Sequence, residues 1–190
     1  MLFKTYNIPV DRLLNLKYCN SILESDKDIE IKMLPSIDIL TDTAYQYFNR
    51  YTLNENFMVF YQKSKKDKGI VHIDYLSNGD LSANEFHPYS LNVIIKGQGA
   101  MHWFEPLSPG TLINHNTGVR YKYWPSALKG KTLDSWTEGK IALVKTDVPH
   151  QVYNHDLEDR VCISIRWSNM LMPWEELIST LDQDIQQGIF

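Results

Sequence analysis

The chain lacks most of the signals that narrow a function quickly. It has two cysteines, Cys19 and Cys162, in 190 residues, so no disulfide framework shows. No apolar run approaches the roughly 18 residues of a membrane span. The opening MLFKTYNIPVDRLL has no long apolar core followed by small residues, so it does not read as a secretory signal. A reducing cytoplasm is the expected location, with no membrane partner. An excess of basic charge is missing too. Lys and Arg number 19 against 23 Asp and Glu, a formal net charge of −4. No general basic field draws in phosphates, so nucleic acid is not an expected partner. The lysines gather locally at Lys63, Lys65, Lys66 and Lys68, but Asp67 interrupts them, and the run reads as a solvated turn. There is no G-x-S-x-G, no P-loop and no G-x-G-x-x-G; GQGA at 97–100 reads as a turn. Repeats and low-complexity stretches are absent.

What remains is an ordinary globular composition, 43% hydrophobic and 22% charged, long enough for one domain with a real core. Its texture changes along the chain. In residues 1–54, PVDRLLNLKYCNSILES and IDILTDTAYQYFNRY carry helical apolar stripes, so this part is expected to be helical. Residues 55–170 break into short β-like runs separated by Gly, Pro and Asn: NFMVFYQ, GIVHIDYL, SLNVIIKG, GAMHWFE, TGVRYKYW, KIALVKT, HQVYN and RVCISIRW. Runs of that length and spacing predict an antiparallel sandwich or jelly roll. In 171–190, PWEELISTLDQDI opens on proline with two acids in its first turn and predicts a C-terminal helix. The fold class is therefore mainly β with flanking helices.

RVCISIRW alternates cleanly. Arg160, Cys162, Ser164 and Arg166 face one way; Val161, Ile163, Ile165 and Trp167 face the other. The simpler reading sends the apolar face to the core and the polar face to water. The alternative is a barrel strand with helices over its apolar face and a pocket against its polar face.

VHIDYL at 71–76 places His72 and Asp74 two apart in an apolar, β-branched run. In a strand that spacing puts both side chains on one face, where imidazole and carboxylate can lean onto one ion. Taken alone the pair is weak, because six histidines and 23 acids produce such pairs by chance. A second feature adds weight. A β-like run ends at Asp147-Val148-Pro149-His150, and a hairpin-like stretch then leads to Arg160, ten residues on. His150 is directed by the proline before it. Two histidines and one carboxylate make the facial triad of non-haem Fe(II) oxygenases, with three coordination positions open. An arginine nearby offers a planar fork to the far carboxylate of a diacid cosubstrate.

Together HID at 72–74, GKIALVKTDVPHQVYN and RVCISIRW resemble the 2-oxoglutarate- and Fe(II)-dependent oxygenases, nearest the aspartyl/asparaginyl β-hydroxylase-like branch. The resemblance covers roughly residues 55–170. It implies a double-stranded β-helix, a jelly-roll and cupin relative, with helices packed on one side. It implies Fe(II) on His72, Asp74 and His150, 2-oxoglutarate on Arg160, and O₂ as oxidant. The expected reaction is hydroxylation of a C–H bond in a small polar metabolite, amino acid or peptide side chain, with succinate and CO₂ released. The chain departs from that pattern in two places. Cys162 stands where many relatives carry Ser. Asn92 and Ile94 stand where β-hydroxylases carry Arg and His, which leaves Asn92 as a candidate second anchor for 2-oxoglutarate.

Other candidates carry plainer readings. His87, His102, His115 and His155 have no regular ligand spacing, and Glu85 and Glu105 do not complete one. Trp103 and Tyr121 are candidate pocket walls, although aromatics at β spacing more often belong to the core. A non-catalytic metal-binding jelly roll is the alternative function. A Zn hydrolase is a third reading, but no extra general base accompanies the ligands.

Overall fold

The computed structural model describes residues 1–25, 31–51, 53, 56–62, 70–75, 88–98, 100–114, 120–125, 129–154, 158–167 and 172–189. The lysine-rich run at 63–69 and His87, His115 and His155 lie outside the described residues.

Among the described residues, twelve strands and five helices follow in order: β1 (Phe3–Tyr6), α1 (Val10–Leu13), α2 (Leu16–Ser25), β2 (Ile31–Pro35), α3 (Ser36–Ile39), α4 (Asp42–Asn49), β3 (Asn56–Gln62), β4 (Val71–Tyr75), β5 (Tyr89–Lys96), β6 (Ala100–Pro106), β7 (Thr111–Asn114), β8 (Arg120–Trp124), β9 (Lys129–Trp136), β10 (Ile141–Lys145), β11 (His150–Tyr153), β12 (Arg160–Arg166) and α5 (Trp174–Gln186). The strands form two antiparallel sheets of six, ordered β1-β10-β5-β12-β3-β2 and β7-β8-β4-β11-β6-β9. From β3 onward the chain crosses repeatedly between them. β12 lies between β3 and β5, and β10 pairs with β5; in the other sheet β11 lies between β4 and β6, and β6 pairs with β9. This is the winding of a double-stranded β-helix, the expected jelly-roll core. β7 and β8 are an insertion that widens the second sheet beyond β4.

The N-terminal part departs from the helical expectation. β1 and β2 add strands to opposite edges of the first sheet, and edge pairing decides their conformation. The two expected helices are each broken in two. The breaks fall at Leu14 and Leu40, both extended and bridged to each other. Asn15 N–H bonds to Ile39 O at 2.7 Å and Thr41 N–H to Leu13 O at 3.0 Å. Each new helix then begins at a capping residue: Asn15 Oδ1 accepts from Tyr18 N–H, and Thr41 Oγ1 from Ala44 N–H.

Burial settles the reading of the last strand. Every residue of β12 is buried. Val161, Ile163 and Ile165 join Leu91, Val93, Ile141 and Leu143 on the outer face of the first sheet. There they pack under Leu13, Ile39, Phe48, Trp174 and Leu177 of the helices. A side chain of this kind contributes about 1.5–3 kcal/mol when fully buried. The opposite face looks between the sheets, where Ile94, Met101, Trp103, Trp136, Ala142, Val144 and Cys162 form a second core. The polar face of β12 therefore does not meet water. It lines an enclosed space, as the alternative reading of its alternation required.

Candidate metal centre

His72 and Asp74 project from the second sheet into the space between the sheets. Asp74 is held from behind, its N–H donating to Thr146 O at 3.1 Å. β11 brings His150 directly opposite His72 in the ladder, with ring centroids 4.4 Å apart. His72 Nε2 lies 3.5 Å from Asp74 Oδ1, and His150 Nε2 lies 4.0 Å from Asp74 Oδ2. One ligand atom from each of the three residues lies within 4.8 Å of the others.

The outer nitrogens are arranged for this. His72 Nδ1 lies 2.8 Å from Ile70 O, and His150 Nδ1 lies 2.9 Å from Val148 O. A carbonyl oxygen only accepts, so each Nδ1 carries the proton and each Nε2 turns a lone pair inward. Burial and the neighbouring His72 pull the His150 pKa down to about 3, so this ring stays neutral. Burial alone would raise the Asp74 carboxyl, but the Arg166 guanidinium, with His72 and His150, outweighs it and holds the group well below the carboxylate range. Two neutral imidazoles and one carboxylate are a donor set for a divalent first-row ion.

A cavity of about 520 Å³, counting its open mouth, joins these ligands to the polar face of β12. Arg160, Cys162, Ser164 and Arg166 line one wall with Ser90 and Asn92 of β5; the triad, Met101 and Val152 line the other. Arg160 is only 3% exposed. Its side chain therefore belongs to this wall and not to the protein surface. Burial raises the Cys162 thiol, and the Arg160 and Arg166 guanidinia beside it act the other way. Asn92 Oδ1 accepts from Ser90 Oγ at 3.1 Å, so this wall is internally bonded.

The pocket aromatics divide. Trp103 is fully buried in the inter-sheet core, stacked on Phe3 with its indole N–H on Lys145 O at 2.8 Å. It is a core residue and is absent from the cavity walls. Tyr121 sits opposite Asp74 in the β4–β8 ladder, and Tyr123 opposite His72. The register puts Tyr123 on the sheet face that carries His72. His102 projects to the other face of the second sheet, against Ser135 and Tyr153.

Arg166 is the site residue the sequence reading did not assign. Its Nη2 donates to Asp74 Oδ2 at 2.7 Å and its Nε to Ser164 Oγ at 3.1 Å, while Nη1 is buried with no hydrogen-bond partner among the described residues. The signal was present. Alternation puts Arg166 on the face of Arg160, and a second buried arginine there needs an acid.

No protein-family model matches the chain, and no curated protein does. Among solved structures, the X-ray structure of E. coli ycfD is similar, at 16% identity and a TM-score of 0.41, over 77% of this chain and 35% of that one. The chain thus spans about a third of that protein's length. A likeness this loose says nothing of chemistry. What can be said of the site comes from its geometry: three convergent ligands in an inter-sheet cavity with two buried arginines.

Proposed function

We propose that the protein is a non-haem Fe(II)- and 2-oxoglutarate-dependent dioxygenase that hydroxylates a C–H bond of a small polar metabolite, amino acid or peptide side chain. The observation that carries this reading is the convergence of His72, Asp74 and His150 in the cavity that also receives Arg160. Iron, when bound, supplies O₂ activation coupled to decarboxylation of the 2-oxo acid.

The chain's own residues do the rest. His72 and His150 present Nε2 because backbone carbonyls hold their Nδ1 protons. The triad leaves positions free for a chelating acid and for O₂. Arg160, in a wall of low dielectric, meets the far carboxylate of the cosubstrate with a planar fork. The Nη1 of Arg166, unpartnered among the described residues, adds a second donor for anionic oxygen.

The test is anaerobic addition of Fe(II) and 2-oxoglutarate. A visible metal-to-ligand band is expected in the wild type and not in His150→Ala. Oxygen and a panel of amino acids and peptides should then give succinate with at least one of them. A protein that binds Fe(II) but forms no band with 2-oxoglutarate would leave the metal site standing and remove this cosubstrate.

A further inference from the structure

Arg166 reaches the triad from the sheet opposite the histidines. Its guanidinium is 4% exposed and is fixed at two points, Nη2 on Asp74 Oδ2 at 2.7 Å and Nε on Ser164 Oγ at 3.1 Å. The Asp74 backbone is tied to Thr146 O, and its carboxylate is held by the Arg166 contact. The two oxygens of Asp74 therefore differ. Oδ2 is committed to a buried cation at 2.7 Å and stands 4.0 Å from His150 Nε2, whereas Oδ1, 3.5 Å from His72 Nε2, is the oxygen turned away from the guanidinium. A carboxylate that chelates an ion turns a lone pair of each oxygen to it. A guanidinium and a divalent ion sharing one oxygen at low dielectric repel strongly.

We propose that Arg166 restricts Asp74 to one-oxygen coordination, through Oδ1, and so keeps open a metal position that a chelating Asp74 would close. Arg166 is on this view a positioning residue. The inference rests on the metal reading above, but on neither iron nor 2-oxoglutarate. Three single-atom ligands on a six-coordinate ion leave three positions, enough for a chelating ligand and one more small ligand. A two-oxygen Asp74 leaves two, so the chelator and the small ligand exclude each other. The site's capacity for a ternary complex thus hangs on a side chain that is not itself a ligand.

Cobalt(II), whose visible d–d spectrum follows its coordination, counts these positions without turnover, with oxalate as the chelating probe and azide as the small one. In the wild type, azide is expected to add to the cobalt–oxalate complex. In Arg166→Gln, each anion alone should still bind, but azide should bind the oxalate-saturated protein at least about tenfold more weakly, a loss of about 1.4 kcal/mol. An Arg166→Gln protein that takes both anions as the wild type does would overturn the proposal, as would a wild type that takes only one. If Arg166→Gln does not fold, Arg166→Met keeps most of the side chain's volume while removing the cation from Asp74 Oδ2. It should show the same exclusion, and wild-type behaviour there would overturn the proposal equally. Failure of the wild type to bind cobalt, or binding that survives His72→Ala, is a different result and removes the metal reading with it.

Discussion

His150 carries a large burden for one side chain. It is 2% exposed, stands against a second imidazole, and is held neutral with a pKa of about 3. In an unfolded chain its pKa returns to about 6.5. The unfolded state then binds the extra proton between those values, so stability falls as pH drops from about 6.5 towards 3. Asp74, depressed in the folded state, adds to the loss below about pH 4. Metal-free protein should therefore show a urea midpoint that declines from pH 7 to pH 4.5. His150→Gln, which cannot take up a proton, should flatten that decline; an equally steep profile in the variant would acquit His150. Arg160 carries a second prediction at this scale. Arg160→Lys keeps the charge but loses the fork. It should raise the 2-oxoglutarate requirement about ten- to a hundredfold with metal affinity little changed, read by titrating the anaerobic band. An unchanged saturation curve would remove Arg160 from the cosubstrate.

The elements that aim these side chains depend on a few local devices. Thr41 is one. Its hydroxyl accepts from Ala44 N–H and donates to Arg12 O at 2.8 Å, so it caps α4 and ties α1 to it at the paired breaks. Thr41→Ala should cost about 0.5–2 kcal/mol, measured as a shift in denaturation midpoint without a change in slope. Gly97 is another. It follows β5 with φ +67°, and a Cβ there would stand 2.5 Å from Asp159 O and 3.1 Å from Arg160 Cα. Gly97→Ala must move either the β5–β6 turn or the start of β12. The expected result is a folded but destabilised protein whose 2-oxoglutarate affinity falls more than its metal affinity. Equal losses of both would show a general defect instead of a displaced Arg160.

The molecule as a whole divides its labour between the two faces of one sheet. The outer face of the first sheet, under the helices, carries the large apolar core; the inner face, shared with the second sheet, holds the cavity. Arg166–Asp74 is a buried ion pair across that cavity, from the first sheet to the second. A metal ion bound at Asp74 compensates the same carboxylate, so it should stabilise the native state and not the unfolded one. At a free concentration a hundred times Kd the gain is about 2.7 kcal/mol, or a Tm rise of roughly 5–10 °C for a domain of this size. Thermal melts with cobalt and then with chelator should show that rise and its reversal. His72→Ala should show neither. Among the described residues no helix is long and apolar enough to cross a membrane.

Period-2 alternation placed His72 with Asp74 and Arg160 with Arg166, because successive strand side chains point to opposite faces whatever the sheet around them. It also marked out the strands whose edges are turn residues. Three things lay beyond its reach. The first is whether the polar face of RVCISIRW meets water or a cavity. That depends on a second sheet closing over it, and both outcomes have the same alternation. The second is the N-terminal strands. Phe3–Tyr6 and Ile31–Pro35 are extended because open sheet edges offer them partners, and KGKTLDSW became β9 by pairing with β6 despite a weak pattern. The third is the partner of Arg166. Asp74 lies 92 residues earlier in the chain, and no local pattern links the two. Sequence spacing determines which residues share a face. Which faces meet, and therefore which charges pair, is decided by the winding of the two sheets.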